Sequence, residues 1–216
     1  DYSSAWLLKD VQMEYLQEKF AKKGLMILYT APWPGQGFYT KFPVNSVSDF
    51  SGKKLRIYST ATQQMGSMLG FNATILPFAE IPQAFSTGLI EALFTSPQTG
   101  IDIQAGDNTK HFTYAGAIFS KNAVVVTKKA FNALSKGDQS NMLAAAKKAE
   151  LRGWEMSAET TKKQIGILKK NGMSSKNAPD EVISKMKSIG LEMMKNWRSK
   201  ASPEANAVLD RYLSMR

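Results

Sequence analysis

The chain has 216 residues, a hydrophobic fraction of 43% and no cysteine. This length and composition suffice for a folded core, and they exclude a disordered or fibrous protein, a disulfide framework and any site that needs a thiolate. The formal net charge of +10 leaves nucleic acid, an anionic surface and a small anionic ligand open as partners.

Apolar residues at helical spacing alternate with short apolar or β-branched runs along the chain. This pattern predicts helices at 8–23, 60–69, 78–87, 128–134, 138–170, 180–196 and 203–214, and strands at 25–30, 54–58, 73–77, 90–95, 112–118 and 123–127. Glycine and proline mark 31–37 and 96–100 as loops. The order predicts an α/β protein with a mainly parallel sheet. A helix over 138–170 would be about 45–50 Å long, which is typical of a helix that bridges two lobes.

Residues suited to catalysis or metal binding are scarce. His111 is the only histidine, and no nucleophile elbow or Walker A sequence is present. The glycines of 35–37 are too few for a dinucleotide fingerprint. Glu80 and Glu91 could form a carboxylate pair, but each has the sequence context of an ordinary helix or strand end. The sequence therefore predicts a protein that is not an enzyme, that has no cofactor and in which no residues are assigned to a metal site. Whether a metal ion assists ligand binding stays open at this level.

The positive charge is spread over several predicted helices, where acidic residues are interspersed among the lysines. Mixed charge of this kind is typical of a solvated helix surface. A basic module that binds nucleic acid or an anionic surface remains the alternative, and it would gather its lysines on one face.

Several segments, in order, resemble the TRAP-transporter binding proteins of the DctP type. The segment 46–56 reads SVSDFSGKKLR and is similar to the family element S-x-x-D-x-x-G-x-K-x-R. The segment 77–80 is similar to the P-x-x-E element, and 84–92 resembles A-L-Q-T-G-x-x-D-G. The predicted helix after Asp138 matches the lobe-spanning helix of that family.

The resemblance implies a two-lobed fold like that of periplasmic binding proteins, with a long lobe-spanning helix and with the first lobe incomplete in this chain. Residue 1 is expected to lie inside a helix of that lobe. The implied organisation assigns 1–32 to the remainder of the first lobe, 33–121 to the second lobe, 122–161 to the return to the first lobe with part of the long helix, and 162–216 to C-terminal helices packing on the second lobe.

Arg56 is the main candidate for ligand binding. It lies between Leu55 and Ile57 in an apolar strand, where a charge needs a partner. A guanidinium matches a carboxylate with two parallel donors and stays charged when buried. The residues alone leave a structural salt bridge equally open, whereas the resemblance implies that Arg56 pairs with the carboxylate of a ligand.

The resemblance implies further ligand contacts, but these positions match the family pattern less closely than Arg56 does. Thr95 and Ser96 stand near a position where some members carry an asparagine, and Phe78 stands at a position that can line the pocket. Gln36 replaces a second arginine of the sialic-acid-binding members, which argues against a sialic acid ligand. An aromatic wall that favours a more apolar acid could be formed by Trp33, Phe38, Tyr39 and Tyr58. For Trp33 and Tyr39, packing under a loop is as plausible.

The function implied is capture of a small carboxylate in the periplasm by closure of two lobes, followed by delivery to the membrane subunits of a TRAP transporter. Nucleic acid is not an expected partner, and contact with the inner membrane is expected only through the transporter. A sensory solute-trapping protein and an enzyme on a related scaffold are alternatives. Which organic acid is bound stays open at this level.

Overall fold

A computed structural model describes all residues from Asp1 to Arg216. The α-helices are α1 (Tyr2–Ala21), α2 (Thr60–Met68), α3 (Ile81–Ser86), α4 (Pro97–Asp102), α5 (Lys128–Asn132), α6 (Lys136–Lys170), α7 (Asp180–Arg198) and α8 (Pro203–Ser214). The strands are β1 (Leu25–Pro32), β2 (Gln36–Thr40), β3 (Lys54–Ile57), β4 (Asn72–Ile75), β5 (Ala92–Thr95), β6 (His111–Ala117), β7 (Lys121–Thr127) and β8 (Ser174–Asn177). The α/β class predicted from the sequence is confirmed. No helix combines the length and the apolarity needed to cross a bilayer.

The chain forms two compact units, each assembled from separate stretches of sequence. Unit 1 comprises 1–33, 119–160 and 200–216, and unit 2 comprises 34–118 and 161–199. The helix α6 has 35 residues, and the boundary at 160/161 falls inside it, so one helix contributes to both units. The long helix expected from the uninterrupted pattern is therefore present.

Unit 1 contains a two-stranded antiparallel sheet in which Leu25 of β1 pairs with Thr127 of β7 and Pro32 pairs with Lys121. The helix α8 packs against α1 in this unit. The sequence interpretation placed both C-terminal helices on the second lobe. The helix α7 does belong to unit 2, but α8 does not, because the segment after Ser199 returns to unit 1.

Unit 2 is built on a six-stranded sheet in the order β4-β3-β5-β2-β6-β8. The strand β3 runs parallel to both β4 and β5, and β6 runs parallel to β8. The strand β2 is antiparallel to its two neighbours, β5 and β6. The sheet is thus mixed rather than mainly parallel. The reversal comes from β2, which the glycines around Gln36 had marked as a loop.

Two hydrophobic cores cover the two faces of this sheet. Successive residues of a strand point to opposite faces, and Phe38 accordingly lies in the first core while Tyr39 lies in the second. Leu55 and Ile57 belong to the first core. Arg56 lies between them in β3, so its side chain points to the face of the second core.

Two other short elements were not predicted. The helix α4 replaces the predicted loop at 96–100, and β8 follows the end of α6. Both are stabilised by contacts that sequence periodicity does not encode. The side chain of Ser96 accepts a hydrogen bond from the backbone N–H of Thr99 and so caps α4. The four residues of β8 form a strand because they pair with His111–Tyr114 of β6.

Candidate functional site

The polar candidates of unit 2 meet at one edge of its sheet. Because β3 and β5 are parallel, their carboxyl ends lie at the same edge, where Tyr58 and Ser96 follow the strands. The antiparallel strand β2 begins at this edge, and its Gly37 lies opposite Thr95. Gln36 is therefore brought to the same edge. The carboxyl ends of parallel strands are the usual ligand-binding position in open α/β sheets.

Arg56 is a buried cation, with 4% of its surface exposed. Its Nε and Nη2 atoms both donate to the backbone oxygen of Leu76, at 3.1 and 2.9 Å. No ion pair joins Arg56 to a carboxylate of the chain. Burial lowers the pKa of Arg56, and its interaction with Tyr58 opposes that shift. A buried charge without a counter-ion is costly, which distinguishes this residue from an ordinary salt bridge.

The carbonyl of Leu76 fixes which donors of Arg56 remain. It occupies the side of the guanidinium formed by Nε and Nη2. The end formed by Nη1 and the second hydrogen of Nη2 makes no contact with a carboxylate or carbonyl of the chain. Two parallel N–H groups at this end match the geometry of a carboxylate.

Tyr58 and Gln36 form a hydrogen-bonded pair beside Arg56. The hydroxyl of Tyr58 donates to Oε1 of Gln36 at 2.9 Å, and Gln36 is 3% exposed. The ring centroid of Tyr58 lies 6.0 Å from Cζ of Arg56, at the outer limit of a cation–π contact. Burial raises the pKa of Tyr58, while the bond to Gln36 and the charge of Arg56 lower it. The structure thus brings three of the predicted residues together.

Thr95 and Ser96 are both buried, but their hydroxyls differ. The Ser96 hydroxyl caps α4 and lies 3.0 Å from the hydroxyl of Thr99, so it already has local partners. Thr95 is 6% exposed, and its side chain makes no hydrogen bond within the chain. Of the two, Thr95 has the hydroxyl that remains available for a ligand.

Two predicted contacts are placed differently from the rest. Tyr39 is completely buried in the second core, where its ring lies 4.5 Å from that of Phe112. Its hydroxyl donates to the backbone oxygen of Ser96 at 3.2 Å. A Cβ at Gly100 would lie 2.0 Å from that hydroxyl, so no space remains there. Tyr39 thus packs beneath the Ser96 segment, and its role as a ligand contact stays a prediction. Phe78, in contrast, is 54% exposed.

The two further aromatic candidates have other surroundings in the structure. Phe38 is buried in the first core, on the opposite face from Arg56. Trp33 belongs to unit 1, where its Nε1 donates to Oδ1 of Asn122 at 3.2 Å. An aromatic wall of Trp33, Phe38 and Tyr39 is therefore not formed within unit 2.

Residues that sequence reasoning missed lie mostly on β2 and its neighbours. Gly37 lies between Thr95 of β5 and Tyr114 of β6. A Cβ at Gly37 would approach the backbone oxygen of Thr113 to 2.5 Å, so only glycine fits. A glycine inside a strand is a sequence signal for such a close approach. The backbone oxygen of Leu76, which orients Arg56, has no side-chain signal and could not have been found.

His111 lies at the opposite edge of the sheet, where it pairs with Thr40 at the far end of β2. No group of three or more His, Asp or Glu side chains could hold a metal ion. The arrangement at the Arg56 edge offers donors for an anion and uncharged hydrogen-bonding groups beside them.

Comparison with known proteins places these features in context. Residues 3–200 match the family described as bacterial extracellular solute-binding protein, family 7, also called DctP. Two Bordetella pertussis extracytoplasmic solute receptors, DctP7 and DctP6, are described as binding pyroglutamic acid. DctP7 is 35% identical with a TM-score of 0.94, over 98% of this chain and 70% of that one. DctP6 is 34% identical with a TM-score of 0.94, over 99% of this chain and 71% of that one.

A third solved structure is similar over the same range. It is a TRAP solute-binding protein from a marine metagenome, described as specific for pyroglutamate and solved in complex with it. The identity is 31% and the TM-score 0.91, over 99% of this chain and 70% of that one.

Proposed function

Because the chain belongs to family 7 of the bacterial extracellular solute-binding proteins, we propose that it captures a small organic acid and delivers it to the membrane subunits of a TRAP transporter. Members of this family are receptors and not enzymes. The single observation that carries the proposal is the buried guanidinium of Arg56, which has no carboxylate partner in the chain.

A ligand carboxylate supplies what Arg56 lacks. Leu76 accepts from one side of the guanidinium and holds its plane, so the carboxylate receives two N–H donors from the remaining end. Charge-assisted bidentate bonds of this kind are about twice as strong as neutral ones. The desolvation cost of the arginine is already met during folding, and the bound anion recovers part of it. Thr95 adds a hydroxyl donor at the same edge.

Pyroglutamate is the first ligand to test. The three solved structures above, each more than 30% identical to this chain, are described as binding it. Other small carboxylates belong in the same panel, because a change of one side chain in the pocket can alter the ligand.

The location and partners we propose follow from the same family. The protein acts in the periplasm, closes around the acid without covalent chemistry and without a cofactor, and then docks on the transporter subunits. Nucleic acid has no part in this function.

The test is a thermal-shift and titration-calorimetry screen of the purified protein against small organic acids. A ligand at about 100 times its Kd is expected to stabilise the protein by about 2.7 kcal/mol. Arg56→Met removes the charge at similar length and is expected to abolish the shift. Lys54→Met is the matched control, since it removes one positive charge from the exposed start of the same strand.

Loss of the shift in both variants would mean that general positive charge, and not Arg56, binds the acid. If no acid stabilises the wild-type protein while a nucleic acid or another polyanion does so, capture of a solute is refuted. The basic surface would then account for the function, and binding would weaken steeply with salt.

A further inference from the structure

The groups around Arg56 are polar but uncharged. Arg56 is the only buried cation of unit 2, since the other lysines and arginines of this unit are at least partly exposed. The phenol of Tyr58 lies beside it, and the amide of Gln36 and the hydroxyl of Thr95 lie at the same edge of the sheet. This edge therefore offers one positive charge and several neutral hydrogen-bonding groups.

The hydrogen bond between Tyr58 and Gln36 decides what this pair presents. The proton of the Tyr58 hydroxyl is directed to Oε1 of Gln36 at 2.9 Å. The phenol oxygen consequently presents lone pairs, which accept from an N–H or O–H and repel an anion. Burial also raises the pKa of Tyr58, so the phenol is neutral throughout the physiological range. A neutral donor on the ligand fits here, whereas a second carboxylate does not.

We propose that the Gln36–Tyr58 pair makes this site select acids with one carboxylate and an uncharged second polar group, and reject dicarboxylates of the same size. The inference rests on the proposed function and specifies its substrate class. The carboxylate binds the end of the Arg56 guanidinium. The uncharged group, an amide, lactam or hydroxyl, donates to the phenol oxygen of Tyr58, whose own proton is directed to Gln36. A second carboxylate in that place would lose its hydration without gaining a cation from these residues.

The experiment compares two ligands that differ only in charge at one end. Glutarate and glutaramate have the same chain length, and the second carries an amide in place of one carboxylate. Their affinities are measured by competition against the best acid found in the screen. Glutaramate is expected to bind at least about tenfold more tightly, which corresponds to about 1.4 kcal/mol. Equal binding, or tighter binding of glutarate, would overturn the inference.

Variants at Gln36 add a second test that needs no assumption about absolute affinity. Gln36→Lys places a second cation at the pair and is expected to shift the affinity ratio towards glutarate by at least about tenfold. Gln36→Met is the control, because it removes the amide without adding charge and is expected to leave glutarate the weaker ligand. A ratio that Gln36→Lys leaves unchanged would remove Gln36 from the specificity site.

The outcomes distinguish failure of the proposed function from failure of the selection against a second carboxylate. If no acid binds the wild-type protein, the proposed function itself fails. If acids bind and the diacid is preferred, only the charge selection fails. The wild-type comparison alone decides this, whether or not the variants fold.

Discussion

The two buried cations of the chain have opposite surroundings. Lys9 in unit 1 and Arg56 in unit 2 are each 4% exposed. Lys9 lies 3.2 Å from a carboxylate oxygen of Glu150, 2.6 Å from one of Asp10 and 3.9 Å from the centre of the Trp6 ring. Arg56 donates only to the backbone carbonyl of Leu76, and the Tyr58 ring lies at the outer limit of a cation–π contact.

The difference shows how a paired charge and an unpaired charge are used. Glu150 also accepts from the backbone N–H and the hydroxyl of Thr30, at 2.9 and 2.7 Å, so its network is closed. This closed network joins α1, β1 and α6 within unit 1. The guanidinium of Arg56 is oriented but left open at one end. A buried ion pair with all its partners stabilises the structure, whereas a buried cation without a counter-ion can bind an anionic ligand.

The largest expected effect comes from opening the closed network. Glu150→Gln leaves Lys9 with Asp10 alone and weakens both bonds to Thr30. Breaking a buried ion pair costs about 3–5 kcal/mol. Because Asp10 still pairs with Lys9, we expect the unfolding free energy to fall by about 3 kcal/mol, the lower end of this range. Urea denaturation measures it. Glu155→Gln, at an exposed position of the same helix, is the control and should change stability by less than about 0.5 kcal/mol. Equal effects in the two variants would mean that the network is not structural.

The next effect is on ligand binding rather than on stability. Arg56→Met is expected to reduce ligand affinity by about 30-fold or more, because truncating a buried charged contact costs about 2–5 kcal/mol of binding. The unfolding free energy is expected to change by less than about 1 kcal/mol, since an uncompensated charge leaves the core. Calorimetry and urea denaturation give the two values. A loss of stability as large as that of Glu150→Gln would contradict the contrast between the two cations.

A smaller effect sharpens the description of the open site. Tyr58→Phe keeps the ring beside Arg56 and removes the hydroxyl that binds Gln36. The loss of one hydrogen bond is worth about 0.5–1.5 kcal/mol, so affinity for an acid with an uncharged polar group should fall about three- to tenfold. Tyr58→Leu, which also removes the ring, should reduce affinity further. If both variants bind with wild-type affinity, the pair does not contact the ligand.

The smallest effect concerns a charge that backbone donors compensate. The Oδ2 atom of Asp49 accepts from the N–H groups of Asn45 and Ser46 at 2.7 and 2.9 Å, and these bonds lower the pKa of Asp49. A carboxyl whose folded-state pKa is lowered stabilises the protein above its unfolded pKa of about 3.9, and the contribution is lost as pH falls through the folded value. Because Asp49 is partly exposed, solvent screens its charge, and Asp49→Asn should cost only about 0.5 kcal/mol at pH 7.

The same reasoning gives the pH dependence that checks this prediction. The stability difference between the wild-type protein and Asp49→Asn should shrink as the pH falls below about 3.9, because the carboxyl of the unfolded wild-type chain then takes up a proton. The difference is lost as the pH falls through the lower folded-state pKa of Asp49. Urea denaturation at pH 7 and pH 3 compares them. A difference that is equal at both pH values would assign the effect to the hydroxyls and backbone around Asp49 rather than to its charge.

Much of the site could be predicted because a single charged residue lies in an otherwise apolar strand. Arg56 stands in an apolar strand, and a charge in that position must be either paired or functional. The sequence could not decide between these, since the answer depends on which carboxylates other elements bring near. The burial of Tyr39 could not be inferred for a related reason. Its neighbours Phe38 and Thr40 are both buried, so the face on which Tyr39 lies follows only from the register of β2.

The sequence by itself determined the α/β class, the long helix α6, the absence of catalytic motifs and the choice of Arg56 as the main candidate for ligand binding. These follow from local periodicity, from residue chemistry and from ordered motifs, all of which are properties of neighbouring residues. The tertiary structure alone decided that β2 runs antiparallel in a mixed sheet, that α8 packs on α1, and that Gln36 meets Tyr58 beside an unpaired Arg56. These features join residues far apart in the chain, and only the folded packing sets which of them meet.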